Sequence, residues 1–174
     1  MNSRHASPSS LLPAFVGLGS NVEPARHLRK AVDAIAGAFG SVRRSPVCVS
    51  PAAGYEGPDY WNLCVAFDTV LSPEELVAWL KELETRLGRQ PDEPRDAPKI
   101  LDADLLLLDD VVSAQPPLPH PEILTRSYVL GPLAMLAPEL SLPDSERTVG
   151  ALWRERQRTG PLKILSPDPL GDRP

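Results

Sequence analysis

An α+β fold, an antiparallel sheet with helices packed on it, is predicted by three features of this sequence. Apolar strand-like runs alternate with segments of helical period in the order strand, helix, strand, strand, helix, strand. Gly or Pro punctuates the junctions between them. No internal repeat and no Walker-type Gly-rich loop points to another architecture. That order corresponds to the ferredoxin-like split βαβ arrangement, with helices expected on one face of the sheet.

The elements follow in turn. Ala14 to Leu18 reads as a buried strand broken by Gly19-Ser20-Asn21. From Pro24 to Phe39, Leu28, Val32, Ile35 and Phe39 recur at helical spacing until Gly40 stops the helix. Ser41 to Ser50 is extended, Pro51 to Pro58 is a loop, and Tyr60 to Leu71 is the next strand. Ser72-Pro73-Glu74-Glu75 is a capping box with proline at the first helical position. The helix it starts buries Leu76, Trp79, Leu80, Leu83 and Leu87 and ends at Gly88. A polar, proline-rich loop runs from Arg89 to Pro98. Ile100 to Leu108 is expected as a central strand, because Leu105 to Leu108 are apolar without alternation. Gln115 to Pro121 is a loop and Ser127 to Leu136 a last apolar helix. Residues 1–13 are expected as a disordered extension, 14–140 as the domain, and 141–174 as a Pro-rich tail with a short helix around Trp153.

Composition narrows the function classes. The chain has 174 residues, 42% hydrophobic and 24% charged, enough for one cored domain. Its 21 prolines mark stiff loops. A net charge of −5 and only three each of Trp, Tyr and Phe argue against nucleic-acid binding. Cys48 and Cys64 sit in apolar runs and read as buried thiols, which suits a reducing compartment and a cytoplasmic location. No apolar run approaches the roughly 20 residues needed to span a bilayer. Met1 to Ser10 lacks the apolar middle of a signal peptide.

Asp102 and Asp104 carry the chemistry. Residues at i and i+2 of a strand project from one face, so both carboxylates point at one place. Asp is depleted in strands, and unpaired neighbouring acids there repel and resist desolvation. A divalent cation relieves both, and magnesium favours one or two carboxylates plus water and phosphate oxygens. A D-x-D alone also fits two solvated acids. Here Arg89, Arg95 and Lys99 precede the pair, and His120 and Arg126 follow it. Acids for a metal with cations for phosphate are what phosphoryl transfer requires.

These residues resemble the 6-hydroxymethyl-7,8-dihydropterin pyrophosphokinase family of folate synthesis. The resemblance rests on Ala97-Pro98-Lys99-Ile100-Leu101-Asp102-Ala103-Asp104, on Gly17-Leu18-Gly19-Ser20-Asn21, and on Pro58-Asp59-Tyr60-Trp61-Asn62. Gly88-Arg89 and Pro119-His120-Pro121 with Arg126, Tyr128, Leu130, Pro132 and Leu133 complete it, over roughly residues 14 to 140. It implies transfer of pyrophosphate from ATP to the pterin hydroxymethyl group with release of AMP. It further implies that Asp102 and Asp104 hold two magnesium ions and act in catalysis with Arg89 and Lys99. Ser50, Pro51, Ala53, Tyr60, Asn62 and Tyr128 would bind the pterin, the two tyrosines by stacking. Glu84, Arg89, Lys99, Leu105, His120 and Arg126 would bind the nucleotide. Lys81 reads as a surface helix residue. The expected partners are small molecules, without nucleic acid or membrane, for a monomer or weak homodimer.

The chain departs from the family at the cationic loop. Lys99 stands where Arg is usual and lacks the bidentate fork. Pro91 replaces a second arginine, Asp96 replaces an aromatic, and Asp92 and Glu93 add acid. Weaker ATP binding or slower transfer is expected, and the alternative is a silent pterin or nucleotide binder.

Overall fold

The computed structural model describes residues 10–54, 56–94, 97–143 and 145–171. Arg95 and Asp96, singled out above, lie outside the described residues, as does most of the N-terminal extension. The first strand, β1 (Leu12–Ser20), starts earlier than Ala14 and runs on through Gly19 and Ser20. Helix α1 (Pro24–Phe39) follows. The extended segment predicted for Ser41 to Ser50 is two short strands, β2 (Arg43–Arg44) and β3 (Cys48–Ser50). Both pair antiparallel with β4 (Tyr60–Thr69). Pro46 lies between them and cannot donate to a ladder. The Ser45 hydroxyl closes the gap by accepting the Cys64 N–H at 3.0 Å.

Helix α2 (Pro73–Arg86) begins at the expected capping box, with the Glu75 N–H donating to Ser72 Oγ and the Ser72 N–H to Glu75 Oε2. Strand β5 (Asp102–Leu108) pairs antiparallel with β1. The sheet order β5-β1-β4-β3-β8 puts β5 at an edge, contrary to the central place expected of it. Its unalternating leucines have another cause. The register with β1 slips by one residue between Phe15 and Val16, so Leu106 and Leu107 face one side while Leu105 and Leu108 face the other. Both sides of the strand are covered.

Beyond β5, a small ribbon of β6 (Ser113–Ala114) and β7 (Pro117–Leu118) leads into α3 (Glu122–Thr125) and α4 (Ser127–Leu136). The short α3 was not foreseen. The Pro-rich stretch set apart as a tail is packed onto the domain. Helix α5 (Val149–Arg156) lies against α4, and β8 (Lys163–Ile164) extends the sheet beside β3. Leu170 is buried in the core, and Arg44 forms a two-point ion pair with Asp168 at 2.8 and 3.1 Å.

The two sheet faces build two cores. Leu28, Val32 and Ile35 of α1 and Leu76, Leu80 and Leu83 of α2 pack on Val16, Leu18, Val65 and Phe67. On the opposite face, Leu130, Leu133 and Ala134 of α4, with Val149 of α5, pack on Phe15, Ala66, Leu106 and Leu107. Helices therefore lie on both faces, although the ferredoxin-like order suggested one. The strongly apolar α4 needs a surface to bury, and only the second face is free. Among the described residues, no helix is long and apolar enough to cross a membrane.

Candidate active site

Helix α4 covers only part of the second face, and the rest is a cavity of about 340 Å³. Its floor follows from the pleat. On β1, Gly17 lies between Asp104 of β5 and Cys64 of β4, and Gly19 lies between Asp102 and Asn62. All six line the cavity. The central strand thus carries glycine at both positions, while its neighbours raise acids on one bank and an amide on the other. A Cβ on Gly19 would sit 3.2 Å from Asn62 Oδ1, and one on Gly17 would sit 3.5 Å from Leu106. Glycine here keeps the floor of the trough open.

On the amide bank, Asn62 Nδ2 donates to Ser50 Oγ at 2.9 Å, which orients a nearly buried amide. Ser50 pairs with Tyr60 across the β3–β4 ladder. Pro51 and Ala53 complete this end, and Tyr128 of α4 enters the cavity from its other wall. Burial raises the Tyr128 hydroxyl pKa, with nearby Glu122 adding to it. All six residues expected to bind the pterin line this one cavity.

On the acid bank, burial and then the Asp102 charge push the Asp104 carboxyl up to about 7, with Lys81 opposing. Two same-face carboxylates resist joint ionisation, and a divalent cation between them would relieve that repulsion. Among the described residues, no group of three or more acids, histidines or cysteines is placed to hold a metal. Two carboxylates on one face match what magnesium takes from a protein, with water and phosphate oxygens for its other positions.

Glu84 supports that bank from below. It is buried, and its Oε1 accepts the Ala103 N–H at 2.8 Å, between the two aspartates. It also accepts from Lys81 Nζ at 2.9 Å and from Arg89. Arg89 reaches on to Asp102 Oδ1 at 3.2 Å, and Lys81 lies 3.8 Å from Asp104 Oδ1. Burial works against the Arg89 charge, but Glu84 and Asp102 outweigh it and raise its pKa. Lys81, read as a surface residue, belongs to this network. Glu84 and Lys81 share one helix face at i and i+3, a spacing that marked them as neighbours.

The cations and the histidine are placed as follows. Lys99 lines the cavity, but its ammonium donates to Pro94 O at 2.9 Å and lies 3.4 Å from Glu93 Oε2. Its backbone is tied to the Asn21 side chain at 2.7 Å, which is what the Gly-Ser-Asn turn after β1 accomplishes. His120 lines the cavity and its backbone N–H donates to Leu106 O at 2.9 Å. Its Nδ1 accepts the Glu122 N–H at 3.3 Å, so the neutral ring presents Nε2–H as a donor. Burial lowers its pKa and favours that neutral form, with Glu122 opposing. Arg126 is half-exposed and lies 4.0 Å from Glu122 Oε1. Arg89, Glu84, Leu105 and Arg126 do not line the cavity in this structure. Leu105 instead faces the α1–α2 core, and Glu84 holds the bank in place. The reading of the sequence had missed Glu122, Cys64 and Leu106 as lining residues. The last two were recoverable from the alternation of β4 and β5.

This trough coincides with a known family. The family described as 7,8-dihydro-6-hydroxymethylpterin-pyrophosphokinase matches residues 15–138, which span every candidate site residue. The chain belongs to that family. A relative in Synechocystis, named 2-amino-4-hydroxy-6-hydroxymethyldihydropteridine pyrophosphokinase, is 37% identical over 147 residues, covering 82% of this chain and 75% of its own. A Pseudomonas aeruginosa protein of the same name is 38% identical over 136 residues, covering 75% and 83%. The namesake in Bacillus subtilis is 32% identical over 153 residues, covering 82% and 91%. The crystal structure of Plasmodium falciparum HPPK-DHPS with pteroate superimposes with a TM-score of 0.70 over 88% of this chain at 13% identity. This chain spans 44% of that structure, and the likeness carries the fold alone. Residues 139–171, with α5, β8 and the Asp168 that pairs with Arg44, lie beyond the matched span of this pyrophosphokinase-family chain.

Proposed function

We propose that the trough binds 6-hydroxymethyl-7,8-dihydropterin at its Asn62 end and the ATP triphosphate at its Asp102 end, and that the chain transfers pyrophosphate between them. The observation that carries this is the register of three strands. It sets an oriented amide and two carboxylates on opposite banks of a glycine floor.

At the amide end, Asn62 offers both a donor and an acceptor to the edge of a pterin. Ser50 already holds its Nδ2, which fixes which way the acceptor points. Tyr60 and Tyr128 line the same end and can stack on the flat ring. At the acid end, two magnesium ions held by Asp102 and Asp104 would bind phosphate oxygens and offset their charge. His120, whose Nδ1 accepts the Glu122 N–H, would offer Nε2–H as a neutral donor to phosphate. Arg89 and Lys81 reach the aspartates in the free chain, so a metal on those carboxylates would compete with that contact and leave the two cations, still anchored by Glu84, to face phosphate. The pterin hydroxymethyl oxygen attacks the β-phosphorus, and its proton passes to solvent. The bond from the β-phosphorus to the α,β-bridging oxygen breaks, and AMP leaves with the electron pair. Glu84 holds Arg89, Lys81 and the Asp102–Asp104 strand in register and so acts as a positioning residue.

We assign the chain to the cytoplasm as a monomer or weak homodimer, with residues 14–140 as the catalytic domain. The unpaired, buried Cys48 and Cys64 support a reducing compartment. A second reading, binding without transfer, is favoured by one observation: Lys99 is engaged by Glu93 rather than free. Product analysis tests both. With ATP, the hydroxymethyl-dihydropterin and magnesium, AMP accumulates in step with the pterin diphosphate. Pterin binding without AMP supports the second reading, and ADP as product contradicts both.

A further inference from the structure

In the free chain Arg89, Lys81 and Lys99 of the nucleotide end are each held by an acid, but the pairs differ in kind. Arg89 and Lys81 share Glu84 and reach Asp102 and Asp104, the carboxylates that would hold a metal. Lys99 is held by Glu93, six residues away in the loop after α2 and apart from the metal carboxylates. The pair is shielded: the Lys99 side chain is 11% exposed and that of Glu93 is 15% exposed. Salt and water screen such a pair far less than a surface one. The Glu93 N–H donates to Gln90 O at 3.3 Å, and Pro94 O accepts from Lys99 Nζ at 2.9 Å. A turn of backbone thus sets the carboxylate against the ammonium.

From this geometry we propose that Glu93 is a built-in competitor of the ATP phosphates for Lys99, and thereby sets the nucleotide affinity of the site. Lysine presents one compact charge rather than a two-sided fork. A phosphate oxygen and the Glu93 carboxylate cannot both lie against it without repelling each other. Binding therefore exchanges one anion for the other, and the intrinsic affinity is reduced by the strength of the pair it breaks. Metal loading leaves this pair intact, since neither partner is a metal carboxylate. The inference rests on the nucleotide end proposed above.

The test is calorimetric titration of the full chain with magnesium and α,β-methylene-ATP, whose α–β bridge resists cleavage. Glu93→Gln keeps the shape and removes the charge, and is expected to bind about five- to tenfold tighter, the range of a partly shielded ion pair. Asp92→Asn removes an equal charge from the same loop and is expected to leave affinity unchanged. In a Lys99→Met background, Glu93→Gln is expected to have no effect. Tighter binding in Glu93→Gln that vanishes with Lys99→Met establishes the competition. Unchanged or weaker binding in Glu93→Gln, or equal tightening in Asp92→Asn or in the Lys99→Met background, overturns it while leaving the site intact. Failure of the unaltered chain to bind the nucleotide would overturn the competition together with the nucleotide end.

Discussion

On the face of the sheet covered by α1 and α2, the strands present Val16, Leu18, Leu63, Val65 and Phe67, all buried. One residue along on the same strands, the other face presents Gly17, Gly19, Asn62, Cys64, Asp102 and Asp104. A side-chain period of two lets one backbone serve both purposes. The first face buries large aliphatic area and holds the fold together. The second gives up that burial where α4 stops short and keeps polar groups in a trough. Stability and chemistry are thereby divided between alternate residues, so neighbouring substitutions are expected to have opposite signatures.

The largest effect separates the faces most sharply. Asp102→Ala or Asp104→Ala is expected to lower turnover by roughly a thousandfold, because several kcal/mol of charge stabilisation is lost with the metal. Each variant should melt no lower than the parent, since removing one acid relieves repulsion of the other. Steady-state AMP release with thermal melting checks both halves. Next, Leu80→Ala on the opposite face should cost about 2–5 kcal/mol of stability by leaving a cavity. Its activity per folded molecule should stay near that of the parent, as read by urea unfolding alongside the same assay.

A smaller effect probes the floor. Gly19→Ala would bring a methyl to 3.2 Å from Asn62 Oδ1 and push the amide aside. The KM for the pterin should rise about tenfold, the scale of one misplaced hydrogen bond, with little change in melting temperature. Unchanged KM would mean that Asn62 does not read the pterin.

The last effect is electrostatic and is read in stability alone. In the metal-free fold, burial and Asp102 raise the Asp104 carboxyl to about 7, above its unfolded value near 4. The folded state then binds the proton more tightly than the unfolded one. Asp104 therefore leaves stability untouched below about pH 4, erodes it as the pH rises to about 7, and adds no further loss above. Melting curves in a chelator should show the parent and Asp104→Asn converging near pH 4, with the variant more stable above pH 7. Magnesium should close that gap by stabilising the charged form.

How much of this was legible in the sequence depended on the range of the interaction. The capping box at Ser72 and Glu75 and the shared face of Asp102 and Asp104 follow from spacings of two or three residues, and both stand in the structure. Ser50, Tyr60 and Asn62, expected at the pterin, share one cavity because the β3–β4 register links them, which the ordered motifs encoded. Non-local geometry was hidden. The edge position of β5 was obscured by a bulge that buries consecutive leucines on both faces. Glu84 reads as an ordinary helix acid until α2 is packed against β5 and the Ala103 N–H appears beneath it. The pairing of Lys99 with Glu93 needs a turn that no periodicity announces.

The claim that the second face alone carries the ligands is tested most directly by amide chemical-shift mapping of the 18.9 kDa chain. The titrants are 6-hydroxymethyl-dihydropterin, and then magnesium with α,β-methylene-ATP. The account predicts that the pterin shifts Gly17, Gly19, Ser50 and Asn62, and that the nucleotide shifts Lys99, Asp102, Asp104 and His120. The α1–α2 core should stay still. Shifts centred on that core, or on α5 and β8 with the trough unmoved, would contradict it.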